Sequence, residues 1–159
     1  MFAPELLHAA ETLLQQLRAK NLTLSTAESC TGGLLSALLT EISGSSDVFS
    51  HGYITYANAA KTGMLAVPEA LISVHGAVSE EVARAMAEGA LHASGASISI
   101  AITGIAGPGG ATEHKPVGLV HLASARSGQS TLHQLQQFSG NRSDVRLQAV
   151  MAAMELLGQ

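Results

Sequence analysis

A chain of 159 residues with 47% hydrophobic and 13% charged side chains suits one core and is too apolar for a disordered segment, so a single domain over 1–159 is expected. Eight basic against twelve acidic residues give a formal charge of −4, and five aromatic residues without a Trp offer no stacking platform, so nucleic acid is excluded as a partner. No apolar run nears the roughly 20 residues of a membrane span, the start Met1-Phe2-Ala3-Pro4-Glu5 lacks signal-peptide character, and the lone Cys30 suits a reducing compartment, so the expected setting is cytoplasmic and away from membranes.

Leu6, Leu7, Ala10, Leu13, Leu14 and Leu17 recur at helical spacing, with Pro4 suited to the first turn. Asn21 ends that helix, and Leu22 to Thr26 reads as a short strand. A polar turn over Ala27 to Cys30 follows, then a second helix from Thr31 to Ile42 with Gly44 as its stop. Gly52 to Tyr56 alternates like a strand, and Asn58 is expected to cap a short helix carrying Lys61 and Leu65. Pro68 opens a further helical segment ending near Gly76. Ser79 caps a helix to about Ser94, with Gly95 as its stop. Ile98 to Thr103 is a strongly apolar strand. Val117 to Ala123 and Ser130 to Phe138 follow as strands joined by a hairpin at Arg126-Ser127-Gly128-Gln129. The last helix runs from about Ser143 to Leu157, with Leu147, Val150, Met151, Met154 and Leu157 on one face. Strands alternating with helices, plus one hairpin, predict an α/β fold: a three-layer α/β/α sandwich with a mixed sheet of about five strands. Strand order stays open.

Four segments carry residue types with chemistry. Glu28-Ser29-Cys30-Thr31-Gly32-Gly33 lies between a strand and a helix, where unpaired backbone N–H groups and the helix dipole stabilise an oxyanion. Ser29 there could act as nucleophile, with Gly32 and Gly33 letting a ligand approach the backbone; Ser29 and Thr31 could equally be plain helix caps. Cys30 could compete as nucleophile, although lone cysteines are more often small buried hydrophobes. In Tyr56 to Lys61, a desolvated Lys61 would serve as a general base and Tyr56 as a hydrogen-bond or proton-relay group; the alternative is a surface lysine.

Thr103 to Gly110 places four glycines in a loop after an apolar strand, suiting a ligand laid against backbone, or a bare glycine turn. It lacks both the dinucleotide and the P-loop fingerprint. Arg142 and Arg146, four apart at a helix start, could hold a phosphate or carboxylate between them or stand solvated. Seven histidines show no metal-motif spacing, so no metal is implied.

Thr26 to Gly33, Tyr56 to Lys61, His75 to Ser79, Gly104 to Pro108, Lys115 to Gly118, and Arg142 with Val145 and Arg146 together resemble, in order and over nearly the whole chain, the CinA carboxy-terminal family. Characterised members of that family are nicotinamide mononucleotide deamidases. The resemblance implies hydrolysis of the pyridine carboxamide to nicotinic acid mononucleotide and ammonia, with Ser29 as nucleophile, Lys61 as its base, Tyr56 close by and no cofactor.

The substrate-binding residues expected from the motifs are Thr31, Gly32, Gly33, Asn58, Thr103, Gly104, Gly107, Pro108, Gly109, Gly110, Arg142 and Arg146. The ribose phosphate is assigned to the Gly104–Gly110 loop and the two arginines. Gly109, Ala111, His114 and Asn141 depart from the family pattern. They lie in the ligand loops and bear on substrate preference more than on the reaction. The resemblance also implies a homo-oligomer. Many relatives carry a larger amino-terminal domain resembling molybdopterin-binding proteins; this chain starts at the first helix, so no pyrophosphatase activity is expected of it. A nucleotide-binding module of the same fold without catalysis is the alternative function, while DNA binding fits poorly with the charge.

Overall fold

The computed structural model describes residues 2–159. Its elements run α1 (Pro4–Ala19), β1 (Leu24–Glu28), α2 (Leu34–Thr40), β2 (Phe49–Ile54), α3 (Asn58–Leu65), α4 (Glu69–His75), α5 (Glu80–Ser94), β3 (Ile98–Gly104), β4 (Leu119–Arg126), β5 (Leu132–Gln137) and α6 (Arg142–Leu157). The sheet has five strands in the order β2-β1-β3-β4-β5. β1 is parallel to β2 and β3, and the β3/β4 and β4/β5 pairs are antiparallel. The sandwich expected from the sequence is the fold observed. Among the described residues no helix is long and apolar enough to cross a membrane.

Strand alternation decides which layer each side chain enters. On one face Leu24, Ile98, Ile100, Ile102, Val120 and Leu122 form a core with α1, α2 and α6. On the other, Ala27, Ala101, Ala123 and Ala125 meet the alanines of α5 and the α3–α4 segment. Small residues there let α5 approach closely, and the Ser99 hydroxyl donates to the Ala87 carbonyl at 2.6 Å. The same alternation sends Glu28 towards α2 and the next residue, Ser29, towards α3.

Several boundaries differ from the sequence reading, for identifiable reasons. β1 begins at Leu24 rather than Leu22 because Asn21 (φ 54°) and Leu22 close α1. Asn21 N–H donates to the Arg18 carbonyl and Leu22 N–H to the Leu17 carbonyl, the Schellman pattern of a left-handed C′ residue. α2 is shorter than Thr31 to Ile42: Gly32 (φ 59°) and Gly33 (φ 93°) are left-handed and form a turn before it. β2 ends at Ile54 because the carbonyls of Thr55 and Tyr56 turn to Lys61 instead of continuing the ladder. Asn58 does not cap α3. Its N-cap is Ala57, and Asn58 is the first helical residue.

Ser79 caps α5 as expected, accepting from Val82 N–H. α6 starts at Arg142, behind a capping box between Asn141 and Asp144. Its buried face is wider than expected, taking in Val145, Ala149, Ala152 and Ala153, while Met151 stays 44% exposed. The helix packs at once on the sheet and on α1 and α2, so a single narrow stripe does not suffice.

One contact between helices sets the position of α3. Gly89 of α5 lies so close to Leu65 that a Cβ on it would overlap the Leu65 carbonyl. Gly89→Ala gains helix propensity, at most about 1 kcal/mol, yet is expected to lose about 1–3 kcal/mol net by overpacking. Urea unfolding of the two proteins measures the difference; a stabilised variant would mean that α3 does not rest on this contact.

Candidate active site

β1 lies between β2 and β3, and the chain leaves it in one direction to β2 and later returns on the other side as β3. In open α/β sheets ligands bind beyond the carboxyl ends of strands at such a reversal. Here that point holds Ser29 after β1, Thr55 and Tyr56 after β2, and Gly104 at the end of β3.

Ser29 is held on the sheet by its N–H, which donates to the Ile102 carbonyl at 2.9 Å. Lys61, one turn into α3, reaches it from the α5-side layer. Its side chain is 1% exposed, and Nζ lies 3.1 Å from Ser29 Oγ, 2.8 Å from the Thr55 carbonyl and 3.5 Å from the Tyr56 carbonyl. A neutral amine has two N–H donors and one lone pair. Of its three oxygen neighbours only the Ser29 hydroxyl could give such a lone pair a proton, and no carboxylate forms an ion pair with Lys61 among the described residues. Burial pushes the Lys61 pKa below its ordinary 10.5, with Cys30 a smaller opposing influence. The pair can therefore take a proton from Ser29 onto Lys61.

Cys30 is buried beside them, and burial pushes its thiol up to about 11. A thiol held protonated is a poor nucleophile.

The α2 amino terminus is filled from within. The carboxylate of Glu28 accepts from the N–H groups of Gly33, Leu35 and Ser36 at 3.0, 3.1 and 2.8 Å. Ser29 and Thr31 are not its caps. In the turn between, Gly32 N–H donates to the Ser29 carbonyl, while the N–H groups of Cys30 and Thr31 have no backbone acceptor among the described residues. These two, beside Ser29, are the donors left for an oxyanion.

Ser29 and Cys30 open into a cavity of about 220 Å³, walled by Tyr56, the Gly104–Gly107 segment, Gly109, Gly110 and Arg142. A second depression of about 530 Å³ shares Ala106, Gly107 and Arg142 with it and adds Pro108, Val117, Gly140 and Asn141. Arg142 stands at the junction, donating to the Gly107 carbonyl and the Tyr56 hydroxyl, both at 2.8 Å. The Tyr56 phenol, 59% exposed, is thus bound to Arg142. Arg146 donates to the Thr31 carbonyl at 2.7 Å and packs 3.8 Å from where a Cβ on Gly32 would be. Its Nε and the Thr31 hydroxyl are buried without a hydrogen-bond partner among the described residues.

The cavity thus brings together Ser29, Tyr56, Gly104, Gly107, Gly109, Gly110 and Arg142, with Lys61 behind Ser29; Pro108 lines the second depression, while Thr31, Gly32, Gly33 and Arg146 line neither. Asn58 and Thr103 also lie apart from the cavity. Asn58 lines a separate depression between α3 and α4, with Glu69, Ile72 and Ser73. Thr103 is buried and donates its hydroxyl to the Ala77 carbonyl at 2.8 Å, tying β3 to the segment before α5. Sequence reasoning missed Glu28. An acidic residue closing a strand on its core-facing side, ahead of two glycines that cannot cap a helix themselves, was the available signal.

A lysine with a lowered folded-state pKa destabilises the fold while protonated. That penalty is complete below the folded pKa and fades as pH rises from there towards 10.5. Lys61→Met is therefore expected to be as stable as wild type above that window and more stable below it, in urea unfolding followed against pH. A pH-independent difference would mean that Lys61 titrates normally.

A family profile described as the CinA C-terminal domain matches residues 7–159. A CinA-like protein of Geobacter sp. (strain M21) is 47% identical over 157 residues, covering 99% of this chain and 38% of the relative. A CinA-like protein of Mycobacterium sp. (strain JLS) is 53% identical over 135 residues, covering 85% of this chain and 32% of the relative. The chain spans about a third of the length of these curated relatives. Among solved structures, the competence/damage inducible protein CihA from Agrobacterium tumefaciens superposes with a TM-score of 0.96 at 43% identity, covering 100% of this chain and 99% of that one. A CinA superfamily protein from Escherichia coli gives 0.92 at 34% identity, covering 100% of this chain and 94% of that one.

Proposed function

The chain belongs to the CinA C-terminal domain family, and on that premise we propose that it is an amidohydrolase releasing ammonia from the carboxamide of nicotinamide mononucleotide. The observation that carries this reading is the buried, carboxylate-free Lys61 amine 3.1 Å from Ser29 Oγ. A serine activated by a lysine is an established alternative to a histidine triad.

In the proposed reaction, neutral Lys61 takes the hydroxyl proton as Ser29 Oγ bonds to the carboxamide carbon. The N–H groups of Cys30 and Thr31 face the developing oxyanion. Lys61 then gives its proton to the amide nitrogen, the C–N bond breaks and ammonia leaves an acyl ester on Ser29. Water, deprotonated by Lys61, attacks that ester; the acid is released and the proton returns to Ser29. Amide and water become acid and ammonia, with no cofactor in the balance. The cavity at Ser29 suits the pyridine carboxamide, and the larger depression beyond Arg142 suits the ribose phosphate. Arg142 supplies positive charge on that side, with Arg146 one helical turn behind it on the Thr31 carbonyl.

Ammonia release from nicotinamide mononucleotide by wild type, Ser29→Ala and Lys61→Met tests the reading. Wild type should turn over, Ser29→Ala should bind the nucleotide without turnover, and Lys61→Met should lose about 10²-fold or more in rate. Turnover by Ser29→Ala would rule out Ser29 as nucleophile. Nucleotide binding by wild type without ammonia release would replace the enzyme with a binding module of the same fold.

A further inference from the structure

We propose that Glu28 is a positioning residue for the Ser29–Lys61 pair, its buried carboxylate locking the glycine turn that presents the Ser29 hydroxyl. The inference rests on the amidohydrolase reading and extends it to a side chain that does not reach the substrate.

Glu28 ends β1 and is fully buried. Buried carboxylates are ordinarily paired with a cation, but Glu28 forms no ion pair among the described residues. Its oxygens are instead saturated by one short segment. Oε2 accepts from Gly33 and Leu35 N–H, and Oε1 accepts from Ser36 N–H and from the Ser36 hydroxyl at 2.7 Å. All four partners donate, and three are backbone groups whose polarity cannot reverse.

The backbone on either side is equally fixed. Thr55 N–H donates to the Glu28 carbonyl at 2.9 Å, and the Thr55 carbonyl holds Lys61 Nζ. One residue thereby anchors both halves of the pair: its main chain holds the segment that seats Lys61, and its side chain holds the far end of the Ser29 turn. Gly32 and Gly33 give that turn little stiffness of its own. Without the carboxylate, Ser29 Oγ and the free N–H groups of Cys30 and Thr31 lose their fixed relation to Lys61.

Glu28→Gln is isosteric but not conservative here. An amide –NH2 in place of Oε2 faces the Gly33 and Leu35 donors, and in place of Oε1 it faces the Ser36 N–H. Either orientation sets donor against donor. Displacement of reacting groups by about 1 Å costs on the order of 10²-fold in rate.

The test measures kcat and KM for ammonia release from nicotinamide mononucleotide, normalised to folded protein. It also measures the rate at which a fluorophosphonate labels Ser29, followed by intact mass; Oγ bonds to phosphorus, fluoride leaves and Lys61 takes the proton. Glu28→Gln should lower kcat and the labelling rate together by about 10- to 100-fold. KM and the pH midpoint of the rate should stay in place. Ser36→Ala keeps three of the four bonds and should show a smaller loss of the same kind, which decides the matter if Glu28→Gln does not fold. Wild-type kcat and labelling in either folded variant overturn the inference while the Ser29–Lys61 reading stands. A shifted pH midpoint in Glu28→Gln also overturns it, by making Glu28 a titrating participant. A wild type that neither labels at Ser29 nor releases ammonia overturns the amidohydrolase reading, and this inference falls with it.

Discussion

A primary amine at 1% exposure, with two carbonyls and one hydroxyl around its nitrogen, is the constraint from which the rest of the site follows. Burying an ammonium without a carboxylate costs several kcal/mol or more, and a lysine relieves that cost by giving up its proton. In the neutral amine the two carbonyls can take both N–H groups, and the Ser29 hydroxyl is the one neighbour able to donate to the lone pair. In ordinary solvent Lys61 would be a surface charge of little chemical use. At this position it is hydrogen-bonded to Ser29, the arrangement the proposed reaction uses.

The fold makes that burial possible. Lys61 reaches Ser29 because α3 is pressed against α5, and α5 can lie close to the sheet because the facing side chains are Ala and Ser. Strand alternation then separates two adjacent residues. Ser29 turns to the α3 layer and meets Lys61, while Glu28 turns to the α2 layer and takes the helix start. The carboxylate adjoins the serine in sequence and the amine lies 32 residues away, yet each is satisfied by its own layer and they form no ion pair among the described residues. An ion pair between them would hold Lys61 protonated and remove the base.

Much of this was legible in the sequence. Helical and strand periodicity, the caps at Ser79 and Gly95 and the hairpin at Arg126 to Gln129 placed the elements of a mixed sheet. The motif around Ser29, the segment to Lys61, the glycine loop and the arginine pair were each identifiable, and the structure sets Ser29, Tyr56, the glycine loop and Arg142 around one cavity, with Lys61 behind Ser29 and Arg146 on the Thr31 carbonyl. What stayed hidden was three-dimensional. A left-handed pair at Gly32 and Gly33 cannot be told in sequence from a helix start, so α2 was drawn too long. The buried state of Lys61 depends on α3 docking on α5, a long-range contact. Asn58 and Thr103 looked like ligand residues because polar side chains at element ends often are. In the fold one lines a different depression and the other is spent on the Ala77 carbonyl. Asn141 departs from the family pattern yet caps α6, a role Asn fills as well as Asp.

Lysine titration followed by NMR at the Lys61 side chain tests the central claim most directly, with Lys61→Met used to assign the resonance. The expected result is a midpoint below 10.5 that moves when Ser29 is replaced by Ala, since the hydroxyl is one of the three groups touching the amine. A Lys61 that titrates at the ordinary lysine value, indifferent to Ser29, would contradict it: the amine would be a charge held near the serine, and not its base.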